Sequence, residues 1–250
     1  MREHGRTGAL CVLAAAAVLV PLMVAAAEHR AAVTAAAQAA VSAEEPTAYV
    51  ALTFDDGPRP DTTAVLLEGL AQRGAKATFF LIGEQIEGNG WLIEWMAADG
   101  HQIGNHTFSH VKLEGSDKNT VLQEINKTEV LLEHILGEGE YWLRPPYGLI
   151  DEAGKALVKT PMVYWSVDPE DWKLPGTEQV VQTVLSQVKD GDIILLHDFY
   201  PDSVQAALQI VDALQAQGYA FVTVEELLAI DGTAPEAGKL YSSGRTERPW

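Results

Sequence analysis

From Ala48 onward, short β-rich runs alternate with longer amphipathic stretches, and this alternation is the strongest constraint on what the chain can fold into. Strand candidates lie at 48–54, 77–82, 101–105, 141–143, 162–167, 192–197 and 219–223. Helical patterns lie near 61–73, 84–98, 118–136, 150–159, 177–188, 203–217 and 224–230. The former are apolar runs bounded by Gly, Pro or polar residues, and the latter repeat apolar positions every three or four residues. Seven such βα units predict an α/β fold with parallel strands joined by right-handed crossovers. A distorted, closed or nearly closed (β/α) barrel of about seven strands accommodates them best, with a doubly wound open sheet as the alternative. No internal repeat and no second domain is visible, and the Gly-, Ser- and charge-rich tail from Asp231 to Trp250 is expected to wrap the surface or fray.

Polar clusters fall at the C-terminal ends of these strands, the end where ligands bind in such folds. They are Asp55-Asp56, His106-Thr107-Phe108-Ser109-His110, Arg144-Pro145-Pro146-Tyr147-Gly148, Asp168-Pro169-Glu170-Asp171-Trp172 and His197-Asp198. Two adjacent carboxylates at the exit of the apolar run Tyr49 to Phe54 repel each other unless a cation or a proton intervenes. His106 and His110 are four apart, so on a helical turn both imidazoles project from one face and can close on one ion. With a carboxylate from the Asp pair they make three N/O donors and an open fourth position, which suits catalytic zinc; cobalt, nickel and iron are chemically admissible.

Composition narrows the partners. The formal net charge of −18 and the lack of a basic cluster beyond the first residues argue against nucleic acid, whose phosphates the surface would repel. An acidic surface tolerates a polymer carrying free amines. The single cysteine, Cys11, sits in the apolar N-terminal run, so the domain after it has no disulfide and no thiolate ligand. Arg2 and Arg6 precede an apolar stretch from Ala9 to Ala27 that ends in Ala25-Ala26-Ala27. Residues 1–27 therefore read as a secretory signal, with cleavage before Glu28 favoured, or as an uncleaved membrane anchor. Residues 28–47 read as an Ala-rich linker, and a folded domain is expected over 48–241, followed by a tail at 242–250.

These clusters, in this order, resemble the five motifs of the polysaccharide deacetylases of carbohydrate esterase family 4, the NodB-homology domain. The motifs stand here as Thr53-Phe54-Asp55-Asp56-Gly57, His106-Thr107-Phe108-Ser109-His110, Arg144-Pro145-Pro146-Tyr147, Asp168-Pro169-Glu170-Asp171-Trp172 and Leu195-Leu196-His197. The resemblance implies that Asp55 is the general base and that Asp56, His106 and His110 hold a divalent metal, zinc foremost. It implies that Arg144 pairs with the base, that the Tyr147 backbone N–H receives the oxyanion, and that His197, oriented by Asp171, protonates the departing amine. Trp172, Leu195 and Tyr147 would contact the substrate, the first two walling the acetyl methyl. The implied function is removal of N-acetyl groups from N-acetylglucosamine in a polymer, foremost peptidoglycan; the N-terminal segment makes the protein exported or membrane-tethered, and a monomer is expected. A chitooligosaccharide deacetylase or an O-acetyl esterase of the xylan type is the alternative. A non-catalytic glycan-binding barrel is disfavoured because base, ligands and acid are all present. Leu143 stands where many relatives carry an aromatic residue.

Overall fold

The computed structural model describes residues 45–245; the signal or anchor segment, Cys11, the linker up to residue 44 and the last five residues lie outside the described residues. The first strand, β1 (Ala48–Asp55), is the centre of the molecule. It pairs in parallel with β2 (Thr78–Leu81), β5 (Ile193–His197) and β6 (Tyr219–Val222), while β3 (Gln102–Asn105) pairs with β2. A second ladder joins β4 (Met162–Val163) to β7 (Leu240–Tyr241).

The α/β architecture with parallel strands is as expected, but a continuous seven-stranded barrel is not what forms. Strands fall into a five-stranded sheet and a two-stranded one. Candidate 141–143 contributes only Leu143, which bridges Asn105 on one side and Met162 on the other, and 162–167 keeps only two strand residues plus a bridge from Val167 to Ile194. Within the second of these runs Arg144 donates to the carbonyl of Tyr164, so that backbone acceptor serves a side chain. The short strand β7 arises from the tail.

Helices follow their caps. Helix α1 (Pro60–Arg73) begins on Pro60 and Asp61, where a missing N–H and a negative charge suit a helix start, and ends at Gly74 in the left-handed region. The pattern over 84–98 is cut into α2 (Gly83–Ile86) and α3 (Gly90–Ala98). Helix α4 (Lys118–Leu136) starts where the Asp117 carboxylate accepts the N–H groups of Asn119 and Thr120. Candidate 150–159 shortens to α5 (Glu152–Lys155), and α6 (Thr177–Gln187), α7 (Pro201–Gln215) and α8 (Val224–Ile230) complete the series. Among the described residues no helix is long and apolar enough to cross a membrane.

Alternation along β1 and β5 positions the site. Val50, Leu52, Phe54, Ile194 and Leu196 pack with Leu66, Leu67 and Leu70 of α1 and Ile210, Val211 and Leu214 of α7. Each such side chain contributes about 1.5–3 kcal/mol on burial. The opposite face carries Ala51 and Ile193 against Phe80, Trp142 and Val163. Because side chains alternate, Thr53, Asp55, Leu195 and His197 share that second face, and the register sets Asp55 beside His197 at the strand ends.

Candidate active site

Asp55 is buried, and its Oδ1 accepts a hydrogen bond from Arg144 Nη1 at 2.8 Å. Arg144 has no exposure at all. Its Nη1 also donates to Thr53 Oγ1 at 2.7 Å, and its guanidinium lies 4.2 Å from the centre of the Phe80 ring. A buried charge survives only when paired, and here the two partners answer each other. Burial alone would raise the Asp55 pKa, but the charge of Arg144, then of His106 and His197, holds it below the ordinary carboxylate range.

Asp56 leaves the strand with φ of 73°. Its Oδ1 lies 3.6 Å from His106 Nε2 and 3.4 Å from His110 Nε2. One donor atom from each of the three residues falls within 4.8 Å of the others. Two ligands at opposite ends of one tetrahedral edge, each bound at zinc distances, stand roughly 3.4 Å apart. The protonation pattern agrees with that spacing. His106 Nδ1–H donates to the carbonyl of Arg144 at 2.7 Å, which fixes the ring with Nε2 turned to the site. His110 is held below its ordinary pKa by burial and then by His106, and so favours the neutral imidazole. Asp56 Oδ1 is itself buried with no hydrogen-bond donor among the described residues. A buried carboxylate oxygen facing two imidazole nitrogens calls for a cation or a proton between them, and the donor set is one a divalent metal completes.

The two histidines do not share a helical turn, contrary to expectation. Residues 106–110 form a loop with Thr107 at φ of 66° and His110 at 56°. Distant polar groups hold it. The buried carboxylate of Glu124, on α4, accepts the N–H groups of Phe108 (3.1 Å) and Ser109 (2.8 Å) and the Ser109 hydroxyl (3.0 Å). Asn105 Oδ1 accepts the Thr107 N–H at 2.8 Å. Every non-glycine residue with positive φ among those described, namely Asp56, Thr107, His110, Tyr147, Glu170 and Leu174, lies in a loop of this site. Such conformations cost about 1–3 kcal/mol each and persist where the surroundings impose them.

On the other side of Asp55, His197 meets Asp171. Burial works against protonation of His197, but the Asp171 hydrogen bond and charge, with Asp55 and Asp56, raise its pKa to about 9. It is therefore cationic at neutral pH. Tyr147 takes φ of 60°, and its ring meets that of His110 edge-on at 4.7 Å. Trp172 is half exposed and Leu195 is buried on the site face of β5. The structure thus brings Asp55, Asp56, His106, His110, Arg144, Asp171 and His197 into one network of contacts. Thr53, Asn105 and Glu124 were missed from sequence. Glu124 left a legible signal: it shares the buried stripe of α4 with Val121, Thr128 and Leu132, where an acid has to be used.

Comparison with known proteins gives the same direction. The family described as Polysaccharide deacetylase matches residues 42–164. A peptidoglycan-N-acetylglucosamine deacetylase of Bacillus cereus is 39% identical over 203 residues, covering 74% of this chain and 95% of that protein. The peptidoglycan-N-acetylmuramic acid deacetylase PdaC of Bacillus subtilis is 39% identical over 71% of this chain, which spans only 38% of that longer protein. Among solved structures, a family 4 acetyl xylan esterase from Clostridium thermocellum in complex with a cobalt ion has a TM-score of 0.74 at 31% identity, over 78% of this chain and 98% of that one.

Proposed function

Because the chain belongs to the polysaccharide deacetylases of carbohydrate esterase family 4, we propose that it is a metal-dependent hydrolase acting on the N-acetylglucosamine units of peptidoglycan. The observation that carries this reading is the division of labour at two adjacent strand ends. Asp55, fixed by Arg144, is ionised and can take a proton. His197, fixed by Asp171, is protonated and can give one. Titratable groups pushed apart in this way mark the base and the acid of a hydrolysis.

Asp56, His106 and His110 would hold the metal, and zinc best suits their donor set. The metal, when bound, supplies Lewis acidity toward the amide carbonyl and toward water. Asp55 draws the proton from the attacking water as its oxygen adds to the carbonyl carbon. The Tyr147 backbone N–H receives the negative charge that develops on the carbonyl oxygen. His197 then protonates the glucosamine nitrogen, the C–N bond breaks, and acetate and a free amine leave. Trp172 and Leu195 border the space for the acetyl methyl. The names of the Bacillus relatives support peptidoglycan, and residues 1–27, as signal or anchor, would deliver the domain to the cell wall.

The acetyl xylan esterase neighbour favours a second reading, hydrolysis of O-acetyl esters by the same groups. Acetate release from peptidoglycan, chitooligosaccharides and acetylated xylan by the zinc-loaded protein separates the two. Release from peptidoglycan in excess of the others is expected, and turnover confined to acetylated xylan would replace the first reading with the second.

A further inference from the structure

Asp198 follows His197 but turns to the other side of the sheet, towards α1, and its side chain is fully buried. Its Oδ2 accepts a hydrogen bond from the Thr63 hydroxyl. Thr63 Oγ1 in turn accepts the backbone N–H of Arg59 at 2.8 Å. Gly57 rests against the same carboxyl group: a Cβ placed there would stand 2.5 Å from both of its oxygens. From the opposite direction, the Gly57 carbonyl accepts the Ile82 N–H at 3.1 Å, at the end of β2. The segment Asp56 to Arg59 is therefore clamped between Asp198 with Thr63 on one side and the exit of β2 on the other.

We propose that Asp198 is a positioning residue for the hydrolysis, holding the loop after β1 so that Asp55 reaches Arg144 while Asp56 turns to His106 and His110. This rests on the reading of Asp55 as base and Asp56 as ligand. The two aspartates are adjacent, yet they serve different partners only because the backbone reverses into the left-handed region at Asp56. Aspartate tolerates the left-handed region better than most residues, but the conformation still has a cost, and contacts at the far end of the loop help to impose it. The clamp calls for a flat group that accepts one hydroxyl and leaves room for only a hydrogen at Gly57. A carboxylic acid fits. Burial, reinforced by the charge of Asp56 and opposed by the Thr63 hydrogen bond, pushes its pKa up to about 7, so the neutral form is at home there. Among the described residues Asp198 Oδ1 has no hydrogen-bond donor.

The test compares Asp198→Asn, Asp198→Ala and Thr63→Val in the full chain by zinc affinity, measured by competition with a chromophoric chelator, and by kcat and KM across pH. Asp198→Ala and Thr63→Val are expected to lose about ten- to a hundred-fold in zinc affinity or kcat, with KM little changed, as for groups that orient metal ligands from outside. Asp198→Asn, of the same shape and uncharged, is expected to restore most of that loss and to leave the alkaline limb of the pH profile in place. Wild-type zinc affinity and kcat in Thr63→Val would overturn the proposal. So would a displaced alkaline limb in Asp198→Asn, which would make Asp198 a charge acting on His197. If Asp198→Ala fails to fold, Thr63→Val decides alone. Asp55→Asn is run alongside: if it keeps full turnover the base reading fails, while the zinc affinities still judge the clamp.

Discussion

The carboxylate of Asp171 binds His197 twice, its Oδ1 lying 2.8 Å from the ring Nδ1 and its Oδ2 accepting the backbone N–H at 2.9 Å. One buried acid thus sets both where the imidazole stands and how it is charged. With His197 as the acid the active form is the cation, so activity should be present below its pKa and fall as pH rises through it, near 9. Asp171→Asn removes the hydrogen-bonded carboxylate partner of that cation and should move the alkaline limb of kcat/KM down by about one unit or more. An unmoved limb in the pH–rate profile would assign the alkaline pKa to another group.

Metal binding and proton abstraction should separate cleanly between neighbours. His106→Ala and His110→Ala should lose bound metal and turnover together, since each removes a donor of the candidate metal site. Asp55→Asn should keep the metal and lose about 10²–10⁴-fold in kcat, the usual size of a general-base contribution. Metal content by elemental analysis beside turnover checks this; chelation should abolish wild-type activity and zinc or cobalt should restore it.

Glu124 should matter to metal affinity although it touches no ligand side chain. Its carboxylate secures the loop between His106 and His110 through three hydrogen bonds. Glu124→Ala frees two backbone N–H groups and should weaken zinc binding about tenfold or more, as for outer partners of metal ligands. A chelator competition titration on the purified variant reads this directly.

His101 should make the fold acid-sensitive. It is buried against Phe79, and its Nδ1 accepts the Ala77 N–H at 3.0 Å. Burial lowers its pKa to about 4 from an ordinary 6.5. A depressed histidine contributes stability that is complete above 6.5 and is lost as pH falls towards 4, because only the unfolded chain takes up the proton readily. The loss across that window is on the order of 3 kcal/mol. Urea unfolding between pH 7 and pH 4 should show it, and His101→Asn should flatten that part of the curve.

What the sequence determined by itself is the periodic part of the protein and the chemistry of its strand ends. Apolar runs such as Tyr49 to Phe54, and the helical stripe over 118–136, announce themselves because burial acts on every residue of a strand or helix face. The residue types needed for metal binding and proton transfer were legible because Asp55-Asp56, His106, His110 and His197 lie where such strands stop. Tertiary structure decided the rest. That His106 and His110 meet from a loop and not a helix, that Asp56 turns away from Asp55, and that Leu143 bridges strands without belonging to one depend on Glu124, Asp198, Arg144 and Tyr164. Glu124 and Asp198 lie many residues away from the backbone beside them. A left-handed turn at a non-glycine residue is locally unfavourable, so no local pattern announces it; it exists only once the distant donors and acceptors that outweigh its cost have been folded into reach.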